Sequence, residues 1–253
     1  MIVLIYRYYW ILVLSFMLSA CSPPISDTQT LLNQLPQATQ QVLLVSSGLW
    51  SQSQASLQRF EKQQGKWQKV ANPIAVQLGR NGLAWGRGLH DIQGLSHFKQ
   101  EGDGKAPAGV FKLGTSFGYA DIALTKQSYP YRKAGKRDYY IDDSTSKDYN
   151  QWVHLAEPNS NRPKQYWQSY EKMRRNDDLY EWGIEVQHNK SPVVAQAGSA
   201  IFMHIWKDQY TSTAGCTAMS KHDIQTLLQW LDQDKQPLLI QVPIEHLKDI
   251  KIR

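Results

Sequence analysis

The chain is poor in cysteine and has no run of charge of either sign. Its 253 residues include only Cys21 and Cys216, so the disulfide framework that staples many small secreted domains is excluded. There is no cysteine pair at ligand spacing, no His-Glu-x-x-His and no tight His/Asp cluster among the seven histidines. No metal site is therefore named, and no cofactor is expected. Lys and Arg exceed Asp and Glu by six, but they are scattered. Such a mild excess suits an anionic polymer or a membrane surface, not a nucleic acid. A phosphate-cradling loop would need Gly-Lys followed by Ser or Thr and a helix. Gly104-Lys105 leads instead into Ala106-Pro107 and a strand pattern, which reads as a tight turn. Internal repeats and low-complexity blocks are missing too.

The one long apolar run is N-terminal, "MIVLIYRYYWILVLSFMLSAC". One positive charge, Arg7, precedes the apolar stretch Tyr8 to Met17, and small residues follow up to Cys21, the layout of a secretory signal over residues 1–20. The run falls short of the roughly 20 residues that span a bilayer. Leu18-Ser19-Ala20-Cys21 resembles the lipobox of bacterial lipoproteins, which implies lipid on Cys21 and a membrane anchor. Ser22, not aspartate, then implies the outer membrane, facing the periplasm. Residues 21–40 are polar and proline-bearing, and are read as a flexible tether. Residues 41–253 are read as a single domain. With Cys21 acylated, Cys216 has no partner in the chain, and an unpaired thiol in an exported protein points to reactivity.

From Gln41 onward the pattern is that of strands. "QVLLVSS", "ASLQRFEKQ", "GKWQKV" and "IAVQL" come first, the last ending at the Asn81-Gly82 turn signal. "GVFKLG", "LYEWGIEVQHN", "SAIFMHIW" and "PLLIQVP" follow. "SKHDIQTLLQWLDQ" is a helix opened by Ser220, with Asp223 three residues on. Residues of about 119–178 interrupt this regularity with charges and aromatics, and are read as a loop and helix insertion with the helix at "QYWQSYEKMRR". The fold class is mainly β with peripheral helices.

His204 ends an apolar strand and Cys216 lies twelve positions later in Thr213-Ala214-Gly215-Cys216. Alternation places Phe202, His204 and Trp206 on one face, and the intervening loop can bring Cys216 beside His204. A thiol needs a base within reach and backbone donors for the oxyanion it creates. Gly215 lets the backbone bend so that successive N–H groups converge. Asp142-Asp143 is a weaker candidate pair, because neighbours on an extended chain face opposite ways.

These residues resemble the L,D-transpeptidase catalytic domain, the YkuD-like fold, whose signature is a histidine followed some 12 to 17 residues later by Ser/Thr-His-Gly-Cys. Ala106-Pro107-Ala108-Gly109-Val110-Phe111 is similar to the family's Thr-Pro-x-Gly-x-Phe segment, and the likeness runs from about Ile74 to Pro243. It implies a β-sandwich of mixed sheets and acyl transfer on the L,D amide bond of peptidoglycan stem peptides. Cys216 would be the nucleophile and His204 the base, with the Ile205 carbonyl orienting the ring and the Gly215 and Cys216 amides holding the oxyanion. Thr213 stands at the family's Ser/Thr position. His188, Trp206 and Asp143 are candidates for substrate contact. Ala214 and Ala218 depart from the family's usual second histidine and arginine, so substrate detail does not transfer with the cysteine chemistry. A hydrolase using the same thioester and a non-catalytic wall-binding lipoprotein remain open alternatives.

Overall fold

The computed structural model describes residues 26–156 and 163–253; the signal segment and Cys21 lie outside them. Strand β1 (Gln41–Ser47) is buried on both faces, as its near-continuous apolar run requires. It pairs antiparallel with β2 (Gln54–Gln63) and parallel with the C-terminal strand β13 (Leu238–Pro243). β2 turns into β3 (Lys66–Gln77) through Gln64 and Gly65, both at positive φ, which matches the right-handed twist of the hairpin. The two runs "GKWQKV" and "IAVQL" are one strand, with a register shift opposite Leu57 and Arg59 and Ala71 at φ +57.

Short β4 (Leu83–Trp85) lies parallel to the start of β5 (Ala106–Gly118), the longest strand. The insertion supplies β6 (Tyr131–Lys133), β7 (Asp138–Tyr140), β8 (Trp152–His154) and β9 (Glu171–Lys172). β10 (Trp182–Val186), β11 (Phe202–Ile205) and β12 (Thr217–Met219) follow. The first half of β5 pairs with β13 and its second half with β10, while β10, β11, β12 and β3 pair in turn. One long strand thus pairs with both β13 and β10 in this mixed-sheet, mainly β fold, and the ladder returns on itself.

Two expectations need correction. The flexible tether is a folded element from Ser26 on: helix α1 (Asp27–Gln34) is capped by the Ser26 hydroxyl and buries Leu31 and Leu32, with Leu35 just beyond. The Trp67 indole donates to the Leu32 carbonyl at 3.0 Å. Apolar residues at this spacing cover the core edge, and that outweighs the polar composition. The helix expected at 165–175 does not form. Trp167 and Tyr170 pack on Tyr139 at ring distances of 6.0 and 5.1 Å, and the Trp167 indole donates to Asp148 at 2.9 Å. Tertiary aromatic contacts override a modest helix propensity, and the segment passes into β9 of a three-stranded sheet ordered β8-β7-β9. Helix α2 (Lys221–Trp230) forms as its cap predicts, with the Ser220 hydroxyl accepting from Asp223 N–H at 3.1 Å and Ile224, Leu227 and Leu228 buried.

Candidate active site

Strands β11 and β12 run parallel, in a register that sets Met203 beside Thr217 and His204 beside Ala218. One step back, the Phe202 amide donates to Cys216 Sγ at 3.4 Å. A side-chain period of two then keeps Phe202 and His204 on one face, and His204 and Cys216 line the same groove of about 510 Å³. His204 Nδ1 donates to the Ile205 carbonyl at 2.7 Å. A carbonyl can only accept, so Nδ1 carries the proton and Nε2 is the lone-pair nitrogen.

The turn before Cys216 is pinned from several sides. Thr213 N–H donates to Leu78 O, and its carbonyl accepts from Arg80 N–H, both at 2.9 Å. Its hydroxyl donates to Cys216 O at 2.7 Å and accepts from Gly215 N–H at 3.1 Å. A Cβ on Gly215 would stand 3.0 Å from the Lys105 carbonyl, which explains the glycine at that close approach. The thiol donates to the Ala200 carbonyl at 3.5 Å. Ala200 is held at φ +52, and its amide donates to Asn150 Oδ1 at 3.3 Å. A non-glycine residue in that region costs of order 1–3 kcal/mol and is held by its surroundings.

Burial decides the resting protonation. Cys216 is 8 % and His204 7 % exposed. Desolvation pushes the thiol up to about 12, with the negative charge of Glu171 adding to the shift. Desolvation likewise lowers His204 to about 4, against the pull of the Ile205 carbonyl. The pair rests as neutral thiol and neutral imidazole, and no hydrogen bond joins them. Burial also raises Glu171 and Asp142, which line the same groove, and Asp142 Oδ1 is buried without a partner among the described residues.

The family model described as YkuD, the L,D-transpeptidase catalytic domain, matches residues 53–244. The chain belongs to this family. The matched segment is a domain of the L,D-transpeptidase kind. Comparison with curated proteins returned no match. Two solved structures are similar to it. Bdellovibrio bacteriovorus Bd1075 is 12% identical with a TM-score of 0.39, over 83% of this chain and 52% of that one. The helical cell shape determining protein Pgp2 from Campylobacter jejuni is 13% identical with a TM-score of 0.40, over 87% of this chain and 56% of that one. The chain thus spans about half the length of either.

Within this L,D-transpeptidase domain the expected residues fare unequally. Cys216, His204, Thr213, Gly215 and Trp206 all line the groove, and Ile205 holds the ring. The Gly215 amide is already bonded to Thr213, so the Cys216 amide, nearest the thiol, is the better placed of the two donors, with Ala214 N–H, that the turn leaves open among the described residues. His188 does not reach the groove: it is 1% exposed, Nδ1 accepts from Arg87 N–H at 3.1 Å and Nε2 donates to Ala197 O at 2.9 Å. Its ring is a backbone strut. Asp143 is also inward, accepting from Thr145 and from Gln168 N–H at 2.8 Å, bonds that hold its carboxyl below the usual range. Asp142 faces the groove instead, as alternation on an extended chain requires.

Sequence reasoning missed Lys99, Glu101, Glu171, Arg175 and Tyr180, which complete the walls. Tyr180 stands edge-on to His204 at 5.1 Å, and Arg175 lies over Tyr180 at 5.1 Å while pairing with Asp177 at 2.6 Å. These residues come from three separated stretches of chain, and no local spacing signals their meeting. Ala214 and Ala218 line the groove too. Where the family often has arginine, positive charge comes from Arg80, Lys99, Arg175 and Lys207 instead.

Proposed function

We propose that Cys216 attacks the carbonyl of the third residue of a peptidoglycan stem peptide, forming a thioester and expelling the terminal D-amino acid. His204 Nε2 takes the thiol proton as the S–C bond forms and delivers it to the leaving amine. A side-chain amine of a second stem, or water, then attacks the thioester, gives its proton to Nε2, and returns Cys216 to the thiol. The Cys216 amide donates to the oxyanion in both steps.

The parallel register of β11 and β12 carries this reading, because it sets an Nδ1-protonated histidine and an unpaired thiol on one groove wall. Neutral partners mean that the proton moves during attack, as in general-base catalysis, and not beforehand. A substrate closing the groove would displace the weak contact of the thiol with Ala200. A lipid on Cys21 would hold the domain at a membrane facing the cell wall. The full chain, incubated with tetrapeptide muropeptides and followed by mass spectrometry, should lose the terminal residue and pass through a thioester adduct on Cys216. Cross-linked products identify transfer and tripeptides identify hydrolysis. Unchanged muropeptides would overturn both in favour of wall binding.

A further inference from the structure

The segment from His97 to Lys105 is a wall with two faces. Lys99, Glu101 and Gly102 line the Cys216 groove on one side. On the other, His97 and Lys105 line a second cleft of about 780 Å³. The partition is thin, since the Lys105 carbonyl lies 3.0 Å from where a Cβ would stand on Gly215, the residue before Cys216.

The second cleft falls in the size range of small-molecule sites, about 300–1,000 Å³. Trp50 and Trp85 meet edge to face in it at 5.1 Å, and His246 stands 5.1 Å from Trp50. Trp85 is 5% exposed and forms the floor, while Trp50 is partly exposed on the wall. The exposed Gln93 and Ser96 add neutral donors and acceptors on the rim. Acidic and basic side chains are interspersed there, Asp91 and Asp249 with Lys105, Lys248 and Lys251. An aliphatic ligand would desolvate the polar rim without pairing it. A polyanion would meet the two carboxylates. A ring with C–H faces, hydroxyls and amide carbonyls satisfies the aromatic and the polar groups together.

We infer that this cleft is a saccharide subsite for the N-acetylated amino-sugar chain that bears the stem peptide. The inference rests on the acyl-transfer reading above: the substrate polymer joins glycan to peptide, and one thin wall joins this cleft to the thiol. The glycan lies along Trp50 and Trp85, and the stem crosses the 97–105 segment to Cys216. Engagement of both parts selects polymer-borne stems over free peptides.

The test uses the full chain in detergent, titrated calorimetrically with glycan strands stripped of peptide by an amidase. Wild type and Cys216→Ala should bind saturably, and Trp50→Ala should weaken binding at least tenfold. Because Trp50 packs on the core, Ser96→Trp on the exposed rim serves as a second variant, blocking the cleft without touching the interior. It should weaken strand binding similarly and raise KM severalfold on strand-linked tetrapeptide. Turnover of free tetrapeptide should be unchanged. No strand binding by wild type, or equal binding by both cleft variants, overturns the inference. Strand binding without turnover would keep the subsite and refute acyl transfer; turnover without strand binding would do the reverse.

Discussion

The stretch of sheet around β1 and the groove beside β11 and β12 are built on opposite terms. In β1, β13 and the first half of β5, nearly all side chains are buried, and the buried glutamines are paired. Gln241, for example, accepts from the Thr217 hydroxyl at 2.7 Å and donates to Pro107 O at 2.8 Å. In the groove, a few residues away through Thr217, Asp142 Oδ1 lacks a partner, Ala200 sits at positive φ, and the thiol has only long contacts. Buried polar groups are normally satisfied. Arg59 Nε, Gln77 Oε1, His90 Nε2 and Tyr129 Oη are also buried without a partner among the described residues, so an open valence alone does not mark the groove. What sets it apart is an open carboxylate oxygen, a positive-φ alanine and a loosely held thiol meeting in one cavity. The packed β1, β13 and β5 hold that wall still.

The sharpest way to break this contrast is to remove one atom from the groove. Cys216→Ala should abolish muropeptide turnover while leaving the melting temperature within a few degrees of wild type; residual turnover would place the nucleophile elsewhere. Next, His204→Ala should slow acylation by roughly two to four orders of magnitude, the range of a positioned base, as followed by adduct mass in single turnover. An unchanged rate would reduce His204 to packing. In the centre the expectation inverts. Leu43→Ala or Leu32→Ala should cost about 2–5 kcal/mol of stability by denaturant titration, with acylation per folded molecule unchanged. The Leu32 variant also decides whether α1 is part of the domain, since a true tether would give no loss.

Acid should then sharpen the comparison from the groove side. His204 titrates near 4 in the fold against 6.5 for the free side chain, so the unfolded chain binds its proton more tightly. Its contribution is complete above pH 6.5 and fades as pH falls towards 4, a loss of about 2–3 kcal/mol by pH 4.5. His90 and His188, lowered by burial to about 4 and about 3, act in the same direction. The loss of stability between pH 7 and 4.5 should therefore be smaller in His204→Ala than in wild type. An identical loss would mean that the ring is solvated.

Much of the centre was legible because its signals are local. Alternation, the Ser220 cap and the run Gln41 to Ser47 each determine their own element, and Cys216 and His204 stood out by residue type and spacing. What stayed hidden depends on contacts between distant stretches. Asp138 gathers Arg132, Trp152, His154 and Gly135 around one carboxylate, and that assembly organises the insertion's small sheet without any short-range period. His188 was a candidate for substrate contact, yet its ring is spent between two backbone segments. The polar look of residues 26–40 concealed three leucines at helical spacing.

The pH dependence of Cys216 alkylation by iodoacetamide tests the central claim most directly, namely that the thiol is stored neutral and loses its proton to His204 only during attack. The account predicts that, without substrate, the rate at pH 8 is at least tenfold below that of a free thiol of pKa about 8.5. It should keep rising past pH 10, as a thiol held near 12 requires. A plateau reached below pH 7 and abolished by His204→Ala would reveal a preformed thiolate–imidazolium pair and contradict it.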